Sequence, residues 1–240
     1  MDGSLTVQPE RSVLRWGGLA GALGGLLFLV VFAVVGVLVG PEPAEPEGAI
    51  ARFSAIRAGR TLENGLYLVV LVLWVAHYLA LYRALRATSL AAALFGSALG
   101  VLGVVVLAAG ALPHAASLPI SNLYHAPGAT PADQQMLVLL WQTTQGIFNA
   151  LLVVGLVILP FGLVGLGVAM FGAPAFGKGL GGISVVLGLI GIGAAVALLV
   201  DPLSPVAVVG VLTLIGFHLV LGVKVFRLSR VGPGLGSRSD

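Results

Sequence analysis

Two histidines and a short run of amides are the residues of this chain whose types and spacing could do chemistry. His77 and His218 each lie well inside a long apolar run. Counted from the same end of their runs, both sit about 12 residues in, or about 18 Å along a helix. Two imidazoles at one depth on different helices have three uses. They can ligate one haem iron axially. They can relay protons through the bilayer. Or each can bond a backbone carbonyl or a neighbouring hydroxyl as part of the packing. Gln142, Gln145 and Asn149, within WQTTQGIFN, are spaced three and four apart and therefore share one helix face. Such a face can line a polar cavity, hold a ligand headgroup, or hydrogen-bond adjacent helices. Gln142, Gln145, Asn149, His77 and His218 are thus the ligand-binding candidates.

Other chemistry has less to stand on. The sequence contains no H-E-x-x-H, G-x-S-x-G or P-loop pattern, and its apolar runs hold no Asp or Glu. That points away from an acid-driven pump, an intramembrane aspartyl protease and catalysis in general. With no cysteine, disulfides and thiolate metal sites are excluded. His114 and His125 fall in a polar stretch without metal-ligand spacing, so no metal and no cofactor is expected beyond the haem option for His77 and His218.

The elements that must position these residues follow from composition. Of 240 residues, 58% are hydrophobic and 9% charged, with a mean hydropathy of +1.10. Soluble domains carry about 25% charged residues. The fold class expected is therefore all-α: a polytopic membrane protein built as a six-transmembrane-helix bundle. Runs long enough to span occur at about 17–39, 65–82, 90–112, within 136–171, at 180–200 and at 206–226. Residues 1–230 form one domain, and 231–240 read as a disordered tail. The first run is too long for a signal-peptide core and reads as an uncleaved helix. The alanine, glycine, leucine and valine content, with arginine favoured over lysine, suits a GC-rich bacterial genome.

Six spans put both termini on one side. With that side cytoplasmic, Arg11, Arg15, Arg83, Arg86, Lys178, Lys224, Arg227, Arg230 and Arg238 lie inside. Only Arg52, Arg57 and Arg60 then lie outside, so the cationic bias predicts a multi-pass protein of the inner or plasma membrane with cytoplasmic termini. The same distribution explains the net charge of +3 without nucleic-acid binding; the partner expected is the lipid bilayer. The outer segments predict a small cap. It comprises an amphipathic helix over 49–60 lying at the interface, a loop over 113–130, and the top of the fourth helix. Thr130-Pro131-Ala132-Asp133 marks a capped start to that helix, and Ser204-Pro205 repeats the pattern before the sixth span.

The fourth run is too long for one crossing. From Pro131 to Gly172 an unbroken helix would measure about 63 Å against about 30 Å of hydrocarbon. Either it protrudes outward, with Trp141 near the headgroups, or it breaks at Pro160. Gly17, Gly21 and Gly25 form a small-residue ridge, as do Gly96 and Gly100. Such ridges serve close packing inside the bundle, or a homo-oligomer or membrane-protein partner.

The stretch Ile56 to Arg86, with Arg57, Arg60, Gly65, Trp74, Arg83 and Arg86, resembles uncharacterised bacterial six-helix membrane proteins of the domain-of-unknown-function 4386 type. The turn carrying Pro174, Gly177, Gly179, Gly181 and Gly182 is similar to the entry to their fifth span. The resemblance implies a six-helix fold and supplies no activity. The expectation is a non-enzymatic structural or interaction component of the cell envelope. The alternatives are a carrier or sensor of a small or lipidic molecule, and a haem-binding redox protein.

Overall fold

The computed structural model describes residues 4–201 and 204–230, with residues 4–9 by backbone alone. The predicted tail lies outside them. Six helices follow in order: α1 (Ser4–Val34), α2 (Pro46–Leu85), α3 (Leu90–Tyr124), α4 (Pro131–Phe171), α5 (Gly177–Val200) and α6 (Ala207–Leu228). A single π-helical turn, Val35–Val39, extends α1. All six are long and apolar enough to cross a membrane, and no strand occurs among the described residues. The fold is the expected all-α six-helix membrane bundle.

Each helix packs on the next in sequence, and α6 closes back onto α1. The six form a ring, with α2, α4 and α6 also touching across its middle. Glycine sets the closest approaches. A Cβ on Gly162 of α4 would lie 2.8 Å from the backbone nitrogen of Gly100 in α3. The Gly17, Gly21 and Gly25 ridge is used inside the chain: Gly17 and Gly21 face Ala80 and His77 of α2, and Gly25 faces Leu219 of α6. Both described ends of the chain sit together, since Glu10 pairs with Arg83 and Gly18 abuts Phe226.

Helix lengths divide the bundle in two. α5 and α6, at 24 and 22 residues, are one bilayer long. α2, α3 and α4 have 40, 35 and 41 residues, about 50–60 Å each at 1.5 Å per residue. Their excess lies at the end opposite the chain termini and forms a cap with its own buried core of Ala49, Ile50, Phe53, Ile120, Val138 and Trp141.

The cap differs from expectation in two ways. Residues 49–60 are not a separate interfacial helix but the first turns of α2. Pro46 opens that helix at a position where no N–H is needed, and no strong breaker follows before Leu85. Residues 113–124 are helix, not loop, and carry Pro113 and Pro119 inside α3. A proline ordinarily costs about 3 kcal/mol inside a helix. Here the burial of Ile120 in the cap core, and the Ser121 hydroxyl donating to the carbonyl of Ile50 (3.4 Å), hold the turn in place.

α4 runs unbroken through Pro160. Glycines of α5 accommodate that ring: a Cβ on Gly191 would lie 2.8 Å from Pro160 Cγ. The start of α4 is as predicted. Asp133 N–H donates to Thr130 Oγ1 (3.2 Å), and Thr130 N–H donates to Asp133 Oδ2 (3.0 Å). Ser204-Pro205 begins α6 through a tighter turn, with regular helix from Ala207.

Candidate ligand-binding site

The amide face of α4 exists as the spacing predicts. Gln142, Gln145 and Asn149 line one open cavity of about 500 Å³ at the cap end. Gln145 Nε2 donates to Ser117 Oγ of α3 (3.2 Å). The two threonines between them are satisfied locally, Thr143 and Thr144 donating to the carbonyls of Leu139 and Leu140. Trp141 differs from its expected role as a headgroup anchor. It is buried, with its ring 5.3 Å from that of Phe53, because the first turns of α2 cover it.

His77 and His218 form a separate place. Their equal depth corresponds to contact, the ring centroids lying 5.2 Å apart. Both are wholly buried. His77 Nδ1–H donates to the carbonyl of Gly17 (2.9 Å), which leaves Nε2 as an acceptor. Trp74 stacks on His218 at 4.1 Å, and Tyr78 meets it edge-on at 5.0 Å. His77 Nε2, both nitrogens of His218, Tyr78 Oη and Trp74 Nε1 find no hydrogen-bond partner among the described residues. Axial ligation of a haem puts a flat macrocycle between the two rings, with each nitrogen about 2 Å from the metal. The 5.2 Å gap, with Trp74 already against His218, does not fit that group. Neither histidine lines the cap-end cavities.

A second cavity, of about 250 Å³, adjoins the amide-lined one through shared walls at Glu63, His114 and Phe148. Its interior is apolar. Phe28, Phe32, Tyr67 and Phe148 supply rings, and Val31, Val35, Leu152 and Val211 supply aliphatic surface. Five helices and the π-helical turn contribute to it. Glu63, Asn64 and His114 are the polar residues along its edge.

The charges at this mouth are organised by Arg60. One guanidinium nitrogen reaches Glu63 Oε2 and another reaches Glu42 Oε2, both at 3.0 Å. Glu63 and His114 lie on the cap side of the apolar spans 65–82 and 90–112. Burial raises the Glu63 carboxyl above its ordinary value, against the pull of Arg60. Burial, helped by the positive charge of Arg60, lowers His114 to about 4, so it is neutral at pH 7. Its ring meets Phe148 edge-on at 5.0 Å.

From the sequence, His114 is set aside for want of metal-ligand spacing, Phe148 carries no role, and Glu63 reads only as an acid of the outer segments. The available signal was its position just before the span, beside Asn64 and Tyr67. In comparisons with protein-family models, curated proteins and solved structures, nothing matches the chain.

Proposed function

We propose that this chain is a non-enzymatic integral membrane protein of the cell envelope that binds a small amphipathic or lipidic molecule at its cap end. One observation carries the reading: an apolar cavity and a polar one meet at Glu63, His114 and Phe148. A molecule with an apolar body and a polar head matches that arrangement, whereas a wholly polar solute would leave the apolar part unfilled. The positive-inside distribution supports a cap on the outer side and both termini in the cytoplasm. The ligand then arrives from the outer leaflet or the external medium. The amides Gln142, Gln145 and Asn149 belong to the polar part of this site.

The test is equilibrium binding of 2-phenylethanol, a small uncharged amphiphile, to the full chain in lipid nanodiscs. One saturable site is expected, and Leu152→Trp, which fills the apolar part, removes it. Absence of saturable binding, or equal binding by the Leu152→Trp variant, sinks the reading.

A second reading, an interaction component, rests on a different feature. Met136, Leu139, Leu140 and Ile147 are exposed on the cap portion of α4, as is Leu123 on α3. Apolar side chains above the span suit a protein partner. Crosslinking from position 139 in intact membranes tests this; products formed only with lipid remove it.

A further inference from the structure

We infer that the cap-end cavity is selective for an organic cation, an ammonium or quaternary ammonium group carried on an apolar body, with Glu63 as its counter-ion. This rests on the ligand-binding reading above and specifies the ligand's charge.

Three observations lead to it. First, Glu63 is the only charged residue among those lining the apolar cavity. Arg60 lines the neighbouring open cavity instead, and its two ends are already taken by Glu63 and Glu42. No cation is left facing the apolar space to receive an anionic head.

Second, the Glu63 carboxylate is incompletely matched. Its side chain is 17% exposed, and Arg60 takes Oε2 alone. Oε1 has no hydrogen-bond donor among the described residues. A carboxylate oxygen left without a protein donor on the wall of an apolar cavity favours a positive charge brought to it.

Third, the walls of that cavity are largely aromatic. The ring of Phe28 lies 5.7 Å from that of Phe32 and 5.9 Å from that of Tyr67, and Phe148 closes the other side from α4. Ring faces attract cations by about 0.5–2 kcal/mol each, most when desolvated, and do nothing for an anion. Neutral His114 adds no positive charge to oppose it. The volume of about 250 Å³ admits a compact body, such as one phenyl ring with a trimethylammonium head.

The experiment uses the full chain in nanodiscs and three probes of one shape. They are benzyltrimethylammonium, its uncharged carbon isostere neopentylbenzene, and phenylmethanesulfonate as the anion. Benzyltrimethylammonium should bind about tenfold or more tighter than either other probe. Glu63→Gln should abolish that advantage while neopentylbenzene still binds saturably, which also shows that the variant is folded. If Glu63→Gln does not fold, Phe148→Leu replaces it and should weaken the cation several-fold more than neopentylbenzene. Equal binding of cation and isostere, or an advantage that survives Glu63→Gln, overturns the cation inference and leaves the cavity reading standing. An equal loss of both probes in Phe148→Leu does the same. Failure of all three probes to bind overturns both.

Discussion

The backbone of Gly21 lies so close to the imidazole of His77 that a Cβ there would stand 2.5 Å from Nδ1. One turn earlier, the carbonyl of Gly17 accepts the proton of that same nitrogen. The small-residue ridge of α1 is therefore shaped around one buried ring of α2. Gly21→Ala should destabilise the protein by about 1–3 kcal/mol, as overpacking in a close-packed interior does. The comparison is Gly216→Ala, where nothing lies within 4 Å of the added methyl. Thermal unfolding in one detergent should show a lower midpoint for the first and an unchanged or higher one for the second. Equal midpoints would mean that α1 and α2 are less tightly apposed than described.

Two side chains of α2, Arg52 and Arg60, hold the link between α1 and α2. Arg52 donates to the carbonyls of Val39 (2.6 Å) and Pro41, at the end of the π-helical turn. Removing it with Arg52→Met should cost about 1 kcal/mol or more, since both carbonyls lose a charged donor. Glu42→Gln should cost less, because Glu42 is half exposed and surface ion pairs contribute little. Hydrogen exchange over residues 40–46 should accelerate more in the arginine variant. The reverse order would refute the assignment.

Acid should loosen the start of α4. The hydrogen bonds from Thr130 hold the Asp133 carboxyl below its ordinary value of 3.8. A folded-state value that is depressed gives stability fully present above the unfolded value and lost as the pH falls through the folded one. Amides of residues 132–134 should therefore gain exchange protection as the pH rises to about 4 and keep it at neutrality. In Asp133→Asn this step should be absent; its persistence would assign the titration elsewhere.

Single cysteines along α4 give the position of the membrane surface. A membrane-impermeant maleimide applied to intact cells should label positions 142 and 146, which are exposed on the cap, and spare 141 and 144, which are buried. Positions 156 and 159, inside the span, should also be spared. Labelling only from the cytoplasmic side would invert the proposed orientation.

How much of this was legible in the sequence depended on how locally each feature is determined. Span positions, the Thr130–Asp133 cap and the shared face of Gln142, Gln145 and Asn149 each follow from a few neighbouring residues. The contact between His77 and His218 was visible as equal depth, because a bundle of straight helices turns depth into height on a common axis. The cap was not visible as a packed unit. Ile50, Ile120 and Trp141 come from three helices, and nothing local announces that they meet. Pro113 and Pro119 locally argue for a loop, and tertiary packing overrides them. Glu63 was hidden for the same reason: only the fold puts it on the wall of one cavity with Phe28 and Phe148.

α2 carries Ile50 in the cap core and Leu85 at the opposite end of the bundle within one uninterrupted helix. Pro46, at its first position, is its only proline, whereas α3 and α4 each carry proline within their length. Mechanically, α2 is a rod without a joint. The residues at the mouth of the cavity, Arg60, Glu63 and Tyr67, are mounted on it about midway. A tilt of that rod would carry Arg83, which pairs with Glu10 of α1 at the other end of the bundle.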